Sequence, residues 1–160
     1  MRFRLTDDDL AAAEAAIGHA FSDRSLLTRA LTHSSADSLR HSGPLATVGD
    51  SIHRVWIARR AFSVLERPRE DVLTYVIKQV EEGRTAQAPL LFGLGLDEYL
   101  VLGGSKKGDG YRVTEDMAAT TYEALIAAIE MDAGYQAAED FMDRVGGDQL
   151  ESVLARFGRG

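Results

Sequence analysis

Residues 45–57 decide the fold, and they read Leu45-Ala46-Thr47-Val48-Gly49-Asp50-Ser51-Ile52-His53-Arg54-Val55-Trp56-Ile57. Apolar residues recur at helical spacing along one face of this stretch, at Leu45, Val48, Ile52 and Val55. Pro44 suits the first turn of the predicted helix, and Ser42 or Gly43 can cap it. Asp50 lies inside the apolar segment, where a carboxylate is costly to bury unless a base, a hydrogen-bond donor or a metal ion pairs with it. Gly49 lowers helix stability by roughly 1 kcal/mol relative to alanine, and its expected use is the close approach of another backbone.

The chain has the size and composition of one globular domain, expected to span residues 1–160. Its 160 residues are 45% hydrophobic and 27% charged, which suffices for a single core. It has no cysteine, so disulfides, thiolate metal sites and cysteine nucleophiles are excluded. No apolar run reaches the roughly 18 residues needed to span a bilayer, and residues 1–9 lack the apolar core of a signal peptide. We therefore expect a cytoplasmic protein.

The net charge of −7 bears on nucleic-acid binding. Chains that hold nucleic acid mainly through phosphates usually carry a basic surface. Here only small basic patches occur, such as Arg59-Arg60 and Lys106-Lys107. The charge balance therefore argues against tight RNA binding by this chain alone.

Periodicity along the chain predicts an all-α fold without β-alternation of useful length. Helices are expected at 10–19, 26–31, 44–65, 69–82, 85–92, 117–131, 136–144 and 148–157. The pair Gly146-Gly147 is expected to separate the last two, and Pro89 to end or kink the helix at 85–92. The expected N-terminal caps are Thr6 or Asp7, Ser22-Asp23, and Thr114-Glu115-Asp116. Residues 105–112 are expected to form a mobile loop.

Four stretches of the sequence, taken in order, carry a resemblance to a known family. They are Ile17-Gly18-His19-Ala20-Phe21 with Leu26-Leu27 and Ala30-Leu31-Thr32-His33-Ser34-Ser35, then Val48-Gly49-Asp50-Ser51, then Leu94-Gly95-Leu96 with Tyr99-Leu100 and Leu102-Gly103, and last Tyr122-Glu123-Ala124-Leu125-Ile126-Ala127-Ala128-Ile129 with Asp132-Ala133-Gly134-Tyr135. Together they resemble the ribonuclease III catalytic domain over about residues 10–145. One such stretch alone would be a weak signal, whereas four in order indicate the fold.

This resemblance implies an all-helical domain that forms a two-fold homodimer with a cleft for double-stranded RNA. It also implies four carboxylates that hold magnesium, and phosphodiester hydrolysis by metal-activated water. Asp50 and Glu123 match two of these carboxylates and are the expected metal ligands. The other two positions hold Ala46 and Thr120, so we expect a degenerate magnesium site and weak or absent RNA cleavage. The family's double-stranded-RNA-binding domain is not expected, since the sequence stops at Gly160.

His53 is a further departure from the family pattern, which has an apolar residue there. It lies three positions after Asp50 and therefore shares that face of the predicted helix. Asp50, His53 and Glu123 could form an acid–base cluster near the vacated metal site. In the alternative interpretation, His53 is a partly buried histidine satisfied by a backbone carbonyl or by Asp50. Trp56 and Phe62 are expected as core or dimer contacts.

Three functions remain open from the sequence. The first is a divergent ribonuclease III-like protein that still engages structured RNA, with cleavage weak or lost. The second is a non-catalytic dimeric scaffold that binds another protein or a ribonucleoprotein. The third is a repurposed small-molecule enzyme that works through Asp50, His53 and Glu123 in the old cleft. A basic stripe along the dimer cleft would favour the first, and a closed apolar pocket would favour the third.

Overall fold

The computed structural model describes residues 4–81, 86–104 and 112–157. The helices are α1 Asp7–Ile17, α2 Arg24–Ala30, α3 Ser42–Val64, α4 Glu70–Glu81, α5 Ala88–Gly93, α6 Glu115–Ala133 and α7 Tyr135–Leu154, with a one-turn 3₁₀ helix at Leu96–Tyr99. No strand forms within the described ranges. Thr32 and Val101 form an isolated parallel β-bridge. The predicted all-α class is confirmed. None of the described helices is both long enough and apolar enough to cross a bilayer.

Two features predicted from the sequence lie outside the described residues. The loop expected at 105–112 falls there except for its last residue, and so does the basic pair Lys106-Lys107.

The predicted N-terminal caps of α1, α2 and α6 are confirmed. The Thr6 hydroxyl accepts the Asp9 N–H at 3.2 Å, and the Asp9 carboxylate accepts the Thr6 N–H at 2.9 Å, which completes a capping box. The side chains of Asp23 and Thr114 likewise accept backbone N–H groups in the first turns of α2 and α6. Local sequence therefore sets where these three helices begin.

The cap of α3 differs from the prediction of Ser42 or Gly43. His41 is the cap, and its ring Nδ1 accepts the Gly43 N–H at 3.1 Å. Ser42 is already helical and buried, and its N–H donates to the Thr32 carbonyl at 2.8 Å. Because that contact fixes Ser42 inside the helix, the cap moves back by one residue.

The boundaries predicted from glycine and proline in α5 and α7 were wrong. Helix α7 runs unbroken through Gly146 and Gly147. Gly146 is buried, and a Cβ there would lie 3.1 Å from the Tyr122 hydroxyl and 3.5 Å from the Trp56 ring. The packing of α7 offsets the roughly 1 kcal/mol that each helical glycine costs. Pro89 lies in the first turn of α5 rather than at its end, since its missing N–H needs no partner there.

Helix α6 forms the centre of the core, and α3 crosses it closely. Eleven α6 residues are buried: Met117, Ala118, Ala119, Thr121, Tyr122, Ala124, Leu125, Ile126, Ala127, Ala128 and Ile129. At the crossing, a Cβ added to Gly49 would lie only 1.8 Å from the backbone carbonyl oxygen of Glu123. The prediction that Gly49 allows another backbone to approach is therefore confirmed.

The buried face of α3 is rotated from the predicted apolar face. The buried residues are Ser42, Leu45, Ala46, Gly49, His53, Trp56, Ile57 and Ala61. Val48 and Val55 are instead 38% and 47% exposed, and Phe62 is 61% exposed. The close approach at Gly49 fixes which side of α3 meets α6. Val48, Val55 and Phe62, spaced seven residues apart, therefore form an exposed line on the helix, which we call the α3 apolar stripe. Trp56 belongs to the core, as expected, with 1% exposure.

Candidate functional site

A cavity of about 490 Å³ lies beside the crossing of α3 and α6. Its wall residues are Gly43, Ala46, Thr47, Asp50, Arg54, Glu81, Gln87, Thr120 and Glu123. We call it the α3–α6 cavity. Among the described wall residues, three side chains are carboxylates and one is a guanidinium, so this part of the wall is polar and carries more negative than positive charge.

The structure brings Asp50 and Glu123 together at this cavity from two different helices. Both side chains are half-buried. Ala46 lies one turn before Asp50 on α3, and Thr120 lies one turn before Glu123 on α6, and both also line the wall. The four positions at which the resemblance places magnesium carboxylates thus surround one cavity, and two of them hold carboxylates.

Arg54 and Glu81 form an ion pair at the wall. The guanidinium Nε and Nη2 donate to Oε1 and Oε2 of Glu81 at 3.0 and 2.8 Å. These hydrogen bonds raise the pKa of Arg54, and Coulombic attraction from Glu81 and Asp50 adds to the effect. The Glu81 side chain is 15% exposed and that of Arg54 58%. The bidentate geometry therefore commits two Arg54 donors to one partner.

The residues present do not fit a four-carboxylate magnesium cage. Magnesium needs several hard oxygen ligands in near-octahedral geometry. Ala46 offers a methyl group and Thr120 a neutral hydroxyl. Among the residues that the structure describes, no group of three or more histidine, aspartate or glutamate side chains is arranged to hold a metal ion.

Comparison with known proteins places the chain in a family. The model of the family described as Ribonuclease-III-like matches residues 23–146. The chain belongs to this family. Among curated relatives, Ribonuclease 3 of Pseudomonas fluorescens is 36% identical over 145 residues, covering 90% of this chain and 62% of that protein. Ribonuclease 3 of Protochlamydia amoebophila is 33% identical over 150 residues, which cover 90% of this chain and 61% of that protein. The chain spans about three fifths of the length of these relatives.

Solved structures agree on the fold of the ribonuclease-III-like domain. A structure of the nuclease domain of ribonuclease III from Campylobacter jejuni superimposes with a TM-score of 0.79 at 21% identity, covering 85% of this chain and 94% of that one. A second structure of that nuclease domain superimposes with a TM-score of 0.76 at 20% identity, covering 87% of this chain and 94% of that one.

His53 of this ribonuclease-III-like domain lies behind the cavity wall rather than in it. It is fully buried, stacked on Trp56 with ring centroids 5.4 Å apart and edge-on to Tyr122 at 5.8 Å. Its Nδ1 lies 3.2 Å from Nε2 of Gln87, so its partner is Gln87 rather than Asp50 or a backbone carbonyl. Burial lowers the pKa of His53 to about 4, which keeps the ring neutral near neutral pH.

The wall residues Arg54, Glu81 and Gln87 were not predicted from the sequence. Arg54 stands four positions after Asp50, so helical spacing was an available signal for it. Glu81 ends α4 and Gln87 immediately precedes α5. Neither carries a motif, because their place in the wall depends on how α4 packs against α3 and how α5 packs against α6.

Proposed function

We propose that this domain engages double-stranded RNA as a homodimer and that its magnesium-dependent RNA cleavage is weak or absent. The main support for this proposal is the set of residues that line the α3–α6 cavity. Membership in the ribonuclease-III-like family supports RNA as the substrate class. The cavity retains Asp50 and Glu123, while Ala46 and Thr120 stand at the other two carboxylate positions.

The chemistry of phosphodiester hydrolysis explains why cleavage should suffer. Magnesium, when bound, supplies an activated water and neutralises charge on the phosphate. Asp50 and Glu123 are the residues that would hold it. With half of the expected anionic oxygens, we expect weak magnesium affinity, and hence slow or absent hydrolysis.

The α3 apolar stripe supports the homodimer. Val48, Val55 and Phe62 lie on one side of one helix and are more than a third exposed. Apolar residues grouped in this way mark interaction surfaces more often than isolated ones do. One of the two Campylobacter jejuni structures is described as showing structural flexibility in a region involved in dimer formation of that nuclease domain.

The direct test measures binding and cleavage of a short RNA duplex. We expect fluorescence anisotropy to show binding that weakens as salt rises, because phosphate contacts release counterions. In magnesium, gel electrophoresis should show an intact duplex. Ordinary turnover that Asp50→Asn abolishes would overturn the proposed loss of cleavage. Failure to bind RNA at any salt concentration would instead favour the dimeric scaffold.

A repurposed small-molecule enzyme is a second candidate function. One observation favours it: Gln87 lines the cavity and also contacts the buried His53 ring. Asp50 and Glu123 would be its catalytic residues, and His53, which acts only through Gln87, would be a positioning residue. This candidate requires a small molecule in the α3–α6 cavity, and saturable binding of such a molecule there is its first test.

A further inference from the structure

Asp50 presents an anionic acceptor to the α3–α6 cavity. In residues 4–81, 86–104 and 112–157, no hydrogen bond or ion pair to its carboxylate is found. Arg54 is the cation among the described wall residues, but Glu81 takes two of its N–H donors. The attraction between Arg54 and Asp50 is therefore Coulombic and leaves the carboxylate open to a donor from a ligand.

Gln87 carries a second acceptor, and the residue is almost completely buried. Its exposure is 2%, and it lines the same cavity. The Nε2 atom is engaged with His53, while Oε1 has no hydrogen-bond partner within the described part of the chain. A buried amide oxygen without a donor is energetically unfavourable. A residue of the wall thus holds an acceptor without a donor, a feature independent of the negative charge of the wall.

We propose that the α3–α6 cavity binds the primary ammonium group of a small organic amine. Such a group carries three N–H donors and one positive charge, which suits the Asp50 carboxylate and the Gln87 carbonyl oxygen. An anion would be repelled by the carboxylates of the wall. A divalent metal ion lacks, among the described residues, the ligand set it requires.

The dimensions of the cavity agree with an alkyl amine. Its volume of about 490 Å³ leaves room for a short carbon chain beside the ammonium group. The Ala46 methyl contributes an apolar part of the wall, where the resemblance places a carboxylate. Alanine at position 46 thus removes a metal ligand and at the same time leaves space for an organic ligand.

This inference deepens the second candidate function by naming a ligand class, and its test needs no RNA. The ¹⁵N-labelled protein is titrated with n-butylammonium chloride, and the Gln87 side-chain amide resonance is followed by NMR. We expect a saturable shift at millimolar concentrations. Tetramethylammonium chloride, which has the same charge and no N–H donor, should produce no such shift, and magnesium chloride should produce a weaker one.

Two isosteric variants locate the site. Asp50→Asn should lower the affinity for n-butylammonium about tenfold or more, because it removes the charged acceptor. Asp71→Asn makes the same change of charge at an exposed residue outside the cavity wall and should bind as the wild type does. Thermal melts monitored by circular dichroism confirm that both variants are folded.

Four results would overturn the proposal. Equal shifts with tetramethylammonium would reduce the effect to general attraction by negative charge. Unchanged affinity in Asp50→Asn, or no shift with n-butylammonium at tens of millimolar, would remove the site. A stronger response to magnesium would reassign it to a metal ion. The first three results have no bearing on RNA binding or cleavage, so this proposal can fail while the proposed function stands. A stronger response to magnesium would also count against the weak magnesium affinity proposed above.

Discussion

At the scale of single residues, Ala46 and Thr120 determine how many anionic oxygens the α3–α6 cavity offers. The double variant Ala46→Glu with Thr120→Asp places carboxylates at both positions. We expect it to raise magnesium affinity at least about tenfold, measured by titration calorimetry, because magnesium prefers carboxylate oxygens.

The matched control for that variant is Ala46→Gln with Thr120→Asn. It adds side chains of the same size without charge and should leave magnesium affinity near that of the wild type. Equal affinities in the two double variants would contradict the assignment of these positions as lost metal ligands.

His53 should make the stability of the fold depend on pH. Its pKa is about 4 in the folded chain and near 6.5 in the unfolded chain, so between these values the unfolded state binds the extra proton. The free energy of unfolding should therefore be highest above pH 6.5 and fall by up to about 3 kcal/mol as the pH approaches 4. Urea denaturation at several pH values across this window measures the effect.

The variant His53→Phe isolates this contribution. A phenyl ring keeps an aromatic contact with Trp56 and cannot be protonated. It should show a smaller loss of stability across the same pH window, by about the amount attributed to His53. Identical pH profiles for the two proteins would show that the folded-state pKa of His53 is not depressed.

At the scale of helices, the crossing of α3 and α6 depends on Gly49. A methyl group there would overlap the Glu123 carbonyl oxygen, and neither backbone can move away without disturbing the core. Gly49→Ala should lower the free energy of unfolding by more than about 3 kcal/mol in urea denaturation, or prevent folding.

Gly147 in α7 gives the matched comparison, because it is also a helical glycine but a Cβ there meets nothing within 4 Å. Gly147→Ala should raise the free energy of unfolding by up to about 1 kcal/mol through helix propensity alone. If both alanine variants were more stable than the wild type, the α3 and α6 backbones could not approach as closely at Gly49 as the structure shows.

At the scale of the whole molecule, the α3 apolar stripe should control association. The double variant Val55→Glu with Phe62→Glu places two negative charges on each copy of the stripe. Light scattering coupled to size-exclusion chromatography should show a dimer for the wild type and a monomer for this variant, because charges facing each other across an apolar interface are strongly unfavourable.

Met131→Glu is the control for association, since Met131 is 50% exposed on α6 and lies outside the stripe. It should remain dimeric. A monomeric wild type would contradict the homodimer, and a dimeric double variant would place the interface elsewhere.

Residue patterns were enough to predict the helical class, three of the helix starts, and the positions of Asp50, Glu123, Ala46 and Thr120 along their helices. These features are local or periodic, so a single chain segment contains all the information they need. The close approach at Gly49 was predictable for a similar reason, since a glycine inside an apolar helix has few other uses.

Packing in three dimensions decided which face of α3 is buried, what partners His53, and which residues complete the cavity. Val48 and Val55 fit an apolar periodicity, yet packing at Gly49 turns them outward. Gln87 and Glu81 reach the cavity from segments more than 25 residues away from Asp50. Helix α7 continues through two glycines because its packing outweighs a local penalty of roughly 1 kcal/mol each. Local propensities are small compared with the burial of a whole helix face, so packing settles what the sequence pattern leaves open.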